Sequence, residues 1–101
     1  MAPSRSISWT QPALDDLDDI AGFIALDKPA AAAAFVRRAL ACVKRLRRFP
    51  SSGRRLAELP DSLYREVIVA PCRIIYRLDG STILVVHVLR GERLLRPQRL
   101  F

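Results

Sequence analysis

YREVIVAPCRIIYRLDGSTILVVHVLRGER, residues Tyr64 to Arg93, is the stretch that decides the fold. It holds three apolar, β-branched runs: Tyr64–Val69, Cys72–Leu78 and Thr82–Leu89. Ala70-Pro71 separates the first two and Asp79-Gly80 the last two. Asp-Gly between alternating runs is a strong hairpin signal, because the tight turns that match strand twist need residues tolerant of positive φ. With Asp79-Gly80 as the two-residue loop, Leu78 pairs with Ser81, Tyr76 with Ile83, Arg73 with Val86 and Cys72 with His87. Pro71 has no N–H to give a ladder and belongs at a turn. The stretch reads as an antiparallel three-stranded meander carrying Arg65, Arg73 and Arg77.

Upstream, Ser6-Ile7-Ser8-Trp9 alternates polar and apolar, as a short strand at a sheet edge would. Thr10 is a plausible N-cap, with Pro12 in the first turn behind it. Ala13, Leu14, Leu17, Ile20, Ala21 and Ile24 then recur at helical spacing, giving an amphipathic helix from about Gln11 to Leu26. Asp15, Asp16, Asp18 and Asp19 fall mostly on its outer side, early in the helix, where the dipole favours acids. Neighbouring positions do not converge on one point, so the four read as a solvated face. Asp27 can cap a second helix with Pro29 in its first turn. Ala30 to Ala34, Phe35, Val36, Ala39, Leu40, Val43, Leu46 and Phe49 form its apolar stripe. Arg37, Arg38, Lys44, Arg45 and Arg48 take the other side, and Pro50 stops the helix. So short a break predicts an antiparallel helical hairpin. Arg54 to Ser62 reads as loop. The order β-α-α-β-β-β points to an α+β domain spanning residues 1–101, its antiparallel sheet covered on one face by both helices.

The chain has 101 residues, half of them hydrophobic, enough for one domain with its own core. Its net charge is +7, and 15 of the 17 basic residues are arginine. The planar guanidinium suits phosphate and carboxylate, so the bias fits a nucleic-acid or acidic-protein partner. From Arg37 to Arg55 there are eight basic residues and no acidic one. Cys42 and Cys72 sit in different elements, outside any CxxC pair, and His87 is the one histidine. That excludes a zinc site of the usual kinds and fits two reduced, buried thiols. No metal and no cofactor is expected. The first residues lack an apolar signal segment, and no run approaches the ~20 apolar residues of a membrane span. The expected location is cytoplasmic.

Several motifs, taken in order, resemble the RelE/ParE superfamily of toxins from type II toxin–antitoxin systems. The first is W-x3-A-x2-DL-x2-I, which is Trp9, Ala13, Asp16, Leu17 and Ile20. Then come AA-x-FV in Ala32 to Val36 and L-x2-FPSSGR from Leu46 to Arg54. YREV, CRIIYRLDG and VVHVLRGER complete the set. The resemblance covers nearly the whole chain. It implies a toxin neutralised by a small antitoxin, with operator DNA contacted only through that antitoxin.

Two branches of the family differ in target. RelE-like members cleave ribosome-bound messenger RNA with basic residues in place of a metal. By motif position Arg73 and Arg93 match two of those residues, and Arg65 lies near a first-strand lysine. A second lysine has no counterpart, since Glu66 or Val67 falls there, and the C-terminal segment has no tyrosine. Arginine stabilises charge but shuttles protons poorly. His87 could act as acid or base, but in the pairing above it faces away from Arg73, as a structural histidine. ParE-like members poison DNA gyrase without such a site, and this branch fits better. The resemblance then implies a ParD-like antitoxin and gyrase as target, with ribosome and messenger RNA as the alternative. A third reading is an inactive member that serves only in an autoregulatory complex. Arg90, Arg93, Arg96 and Arg99, every third residue of the tail, are the candidate target contacts. Arg37, Arg45 and Arg77 are the candidate rim charges for the antitoxin.

Overall fold

Thr10 is where the first strand hands over to the first helix. The computed structural model describes residues 5–91. β1 (Ser6–Trp9) ends as Thr10 takes an extended conformation and its Oγ1 accepts from Ala13 N at 3.3 Å. That caps α1 (Gln11–Ala25). Its buried face starts with Ala13 and Leu17 and continues with the partly buried Ile20 and Ile24. The first turn carries no acidic residue. Asp16, expected on the solvated side, instead reaches inward to the sheet.

Asp27 does not cap the second helix. Its amide and that of Lys28 both close onto Ile24 O, at 3.2 and 2.9 Å. Asp27 is thereby held in the turn ending α1, and the cap of α2 (Pro29–Arg45) falls to Lys28, which offers no side-chain bond. Ala32, Phe35, Ala39 and Val43 are buried at the three- and four-residue spacing of one helix face. Leu40 and Phe49, expected in that stripe, are about half exposed. Leu40 is one residue off the face. Phe49 lies beyond the helix, which stops at Arg45 and continues as tight turns ahead of Pro50. Proline disfavours helical geometry in the residue before it.

Among the described residues the sheet has five strands, in the order β1-β5-β4-β3-β2. β2 (Arg54–Arg55) is a two-residue strand inside the segment expected to be loop. β3 (Arg65–Val69), β4 (Cys72–Asp79) and β5 (Thr82–Arg90) are the meander. β1 runs parallel to β5, so the sheet is mixed although mostly antiparallel. Both helices lie on one face, over Ile74, Tyr76, Ile83, Val85 and Val88. The other face is not bare: Leu56 and Leu59 of the β2–β3 connection pack there with Ile75, Val86 and Leu89.

The β4–β5 turn is shifted by one residue from the expected one. Gly80 and Ser81 form the loop, Asp79 pairs with Thr82 and Leu78 with Ile83. Gly80 has φ +61° and no other described residue has positive φ. A turn with one such position at its first central residue puts glycine there and leaves Asp79 extended. A bulge at Ile75/Tyr76 then shifts the register again, so Ile75 faces His87 and Arg73 faces Leu89, not Val86. Val86 is the extra residue.

The Tyr76 hydroxyl ties the chain after α2 to the sheet. It donates to Pro50 O at 2.7 Å and accepts from Gly53 N at 3.0 Å. A Cβ on Gly53 would lie 2.6 Å from that hydroxyl and 2.7 Å from Glu66 O. No side chain fits there without moving backbone. Tyr76→Phe should cost about 1–3 kcal/mol by leaving buried groups unpaired. Gly53→Ala should cost a similar ~1–3 kcal/mol by overpacking. Urea unfolding of the two variants reads both values. Burial raises the Tyr76 pKa. Its contribution to stability should therefore hold below pH ~10 and be lost as pH rises through the higher folded value.

Candidate functional site

Arg73 lies mid-strand in β4, 6% exposed. Its guanidinium bonds Glu66 Oε2 at 2.7 Å and both carboxylate oxygens of Glu58. Arg54 Nε closes the cluster on Glu66 Oε1 at 2.7 Å. The hydrogen bonds it donates to Glu58, followed by those to Glu66, hold the Arg73 pKa above its ordinary value despite burial. This guanidinium stays charged at any working pH and is committed to carboxylates. Sequence reading missed both partners. Glu66 had a signal: with Ala70-Pro71 as the loop, Arg73 pairs Ile68 and Ile75 pairs Glu66, so Arg73 and Glu66 are diagonal neighbours on one face. Glu58 had none, because loop geometry brings it in.

Arg65 belongs to the opposite face. It pairs with Tyr76, one step out of phase with Ile68 and Arg73. Its NH1 donates to Gly53 O at 2.8 Å, on the helix side. The structure thus separates Arg65 from Arg73, and Arg93 lies outside the described residues. His87 is 3% exposed, with Nδ1 3.0 Å from Asp16 Oδ2. The same carboxylate oxygen accepts from Val88 N at 3.1 Å. The bulge overturns the expectation that His87 faces away from Arg73: His87 pairs Ile75 and Arg73 pairs Leu89, so strand alternation puts both on one face.

Of the tail arginines, Arg90 is described and Arg93, Arg96 and Arg99 are not. The Arg90 guanidinium sits 4.4 Å above the Phe23 ring of α1, a ring that is itself 60% exposed. Arg37 and Arg45 are exposed on α2. Arg77 lies across the sheet, 5.8 Å from the Tyr64 ring and 4.0 Å from Asp79. Two of the three candidate rim charges thus lie on α2 and the third on β4. One hollow of about 420 Å³ lies between α1 and β5, against Asp16, Phe23, Val88 and Arg90, and two more flank the helical hairpin. One, about 390 Å³, is lined by Cys42, Arg45, Leu46, Arg54, Val67 and Ile68 among others. The other, about 370 Å³, lies between the end of α1, Pro71 and Arg90. Among the described residues no helix is long and apolar enough to cross a membrane, and no three His, Cys, Asp or Glu side chains are placed to hold a metal ion.

Residues 7–95 match the family model described as ParE toxin of type II toxin-antitoxin system, parDE. The chain belongs to the ParE toxin family. The fold agrees with the chromosomal ParDE toxin–antitoxin system of P. aeruginosa, at TM-score 0.75 and 26% identity, covering 88% of this chain and 98% of that one. A RelBE toxin–antitoxin complex from Mycobacterium tuberculosis shares the fold at TM-score 0.59 and 22% identity, covering 87% of this chain and 99% of that one. No curated protein matches the sequence. As a ParE toxin, the chain is a type II toxin of the RelE/ParE superfamily.

Arg73→Ala should destabilise this ParE domain by about 3–5 kcal/mol, because it leaves two carboxylates short of their shared cation. Arg73→Met combined with Glu66→Gln and Glu58→Gln should recover part of that loss. Denaturant midpoints of the two variants check the comparison.

Proposed function

We propose that this ParE-family chain inhibits DNA gyrase as a non-catalytic binder and is held inactive by a ParD-like antitoxin in the cytoplasm. The observation that carries the reading is the environment of Arg73. The position that matches an RNase arginine is enclosed by Glu58 and Glu66, and Arg65 projects from the other face. A buried cation already paired with two acids is poorly placed to meet a developing phosphorane charge. The family match over residues 7–95 supports the same branch.

The target contacts are Arg90, Arg93, Arg96 and Arg99, fixed charges suited to an acidic protein surface or to DNA held on one. The antitoxin contacts are Arg37, Arg45 and Arg77. With two of these on α2 and the third across the sheet, a partner that engages all three wraps the domain. An acidic segment that orders on binding suits that path.

Expression alone should arrest bacterial growth, and co-expression with the antitoxin encoded beside it should restore growth. Replacing Arg90, Arg93 and Arg96 together by alanine should abolish toxicity in a domain that still folds, while His87→Ala leaves it nearly intact. Purified toxin should inhibit gyrase supercoiling. Cleavage of ribosome-bound messenger RNA, lost on Arg73→Ala or Arg93→Ala in folded protein, would instead establish the endoribonuclease reading. Charge reversal at Arg37, Arg45 and Arg77 should slow antitoxin association about tenfold at low salt, as stopped-flow mixing would measure.

A further inference from the structure

The two helices divide their charges between them. From Gln11 to Leu26 every charged residue is acidic, and from Pro29 to Arg48 every charged residue is basic. Asp16 is taken up by His87 and Val88. Asp15, Asp18, Arg37 and Lys44 are exposed. Among the described residues none of these four is in an ion pair. At ~100° per residue, Asp15, Asp18, Gly22 and Leu26 point away from the buried Ala13 and Leu17. Ala33, Arg37, Ala41 and Lys44 likewise point away from Phe35, Ala39 and Val43. Both rows therefore lie on the side of the hairpin that faces away from the sheet.

That side also carries three leucines. Leu14 is 43% exposed, Leu40 49% and Leu26 85%. Leu14 and Leu40 stand equally far along the chain from Asp27 at the turn, so they lie level with each other across the hairpin. Gly22 is a second, independent observation. It sits inside α1, where glycine weakens a helix relative to alanine. A Cβ there would meet nothing within 4 Å. No neighbour in the chain requires glycine at this position, whereas a close approach from outside does.

We propose that a second copy of the chain covers this face, related by a two-fold axis that runs parallel to the helices and between them. Each α1 then lies antiparallel on α2 of the other copy. A two-fold sets one patch against itself, so each contact occurs twice. Charge selects this axis. An axis across the helices would lay α1 on α1 and α2 on α2, acid on acid and base on base. With the axis along the helices, Asp15 and Asp18 of each copy face Arg37 and Lys44 of the other. The Leu14 and Leu40 side chains of both copies meet around the axis, and Gly22 faces the alanines at the start of α2. The face is ~25 Å by ~20 Å, the length of α2 and the width of two helices. The pair buries on the order of 1,000 Å², which suits a weak, reversible dimer. At ~0.15 M salt the Debye length is ~8 Å. Contacts across the face therefore outweigh the repulsion between two chains of net charge +7. The dimer does not depend on the toxin's target. Arg37 is also a proposed antitoxin contact, so self-association and antitoxin binding compete for it.

The test is sedimentation equilibrium of the purified full chain without antitoxin, from micromolar to millimolar concentration in ~0.15 M salt. The chain should dimerise. Asp15→Lys with Asp18→Lys, and separately Arg37→Glu with Lys44→Glu, should each weaken the dimer at least about tenfold in protein whose circular dichroism is unchanged. Mixing the two variants should restore association, because both sets of contacts are again opposite in sign. Gly22→Leu fills space that is open in the single chain, so it should raise the melting temperature and abolish the dimer. A chain that stays monomeric at millimolar concentration overturns the proposal. So does a dimer that the charge variants or Gly22→Leu leave intact, or a mixture that fails to recover. Growth arrest by a chain that stays monomeric sinks the dimer and leaves the toxin reading standing.

Discussion

β5 has to satisfy two neighbours that need it at different places, and the fold turns on how it does so. On one side it pairs β4 along its whole length; on the other it pairs β1 only as far as Val85. Past that point its outer edge is closed by α1 in place of a strand. Thr10 N and Oγ1 both bond Val85 O, and Asp16 takes Val88 N. The bulge at Val86 falls at this change of neighbour, where one extra residue adds local twist. Asp16 also holds His87, so one carboxylate fixes the bulged strand and the lie of α1 over it. With α1 placed, the helical hairpin and the main core follow.

What could be read from the sequence is what repeats. The stripes Ala13, Leu17, Ile20 and Ala32, Phe35, Ala39, Val43 state the helices and their inner faces, and the alternation from Tyr64 onwards states the meander. What could not be read depends on single backbone choices. Asp79-Gly80-Ser81 permits two neighbouring turns, and a turn with one positive φ selects the one led by Gly80. The bulge leaves no trace in Leu84-Val85-Val86-His87-Val88, where every residue suits a strand. Ser6–Trp9 is too short to carry a direction, so its parallel course was not legible. The acids around Arg73 were half legible, Glu66 through strand phase and Glu58 not at all. The tail positions Arg93, Arg96 and Arg99 remain as the sequence presents them.

The arginine bias first suggests an outward-facing footprint, yet many of these residues work inside the molecule. Arg5 NH1 bonds Arg47 O while Arg47 Nε bonds Arg5 O, pinning the start of β1 to the turn after α2. Arg65 holds Gly53 O, Arg38 holds Ala70 O and Arg55 holds Ser62 O. A guanidinium has five donors and no acceptor, so it can staple a loop through a carbonyl without losing its charge. Such staples leave the positive field of the surface intact. Structural service and partner recognition are therefore compatible in the same side chain here, where an aspartate pair would have cancelled one for the other.

The pairing of β1 with β5 joins positions far apart in the chain, with the Ser6 and Thr82 hydroxyls bonded across a separation of 76 residues. The β3–β4 and β4–β5 pairs close through two-residue loops. Non-local contacts bear the loop-closure entropy before they return anything, so the meander is poised to assemble early and β1 late. On a ribosome the order of emergence is the reverse: β1 leaves the tunnel first and waits for its partner until Thr82 and the residues after it follow. Until then α1 lacks Val85 and Val88 as anchors for Thr10 and Asp16, and the hairpin has no sheet to cover. The five described strands come together only once β5 has emerged, so the surface they carry comes into being nearly at once.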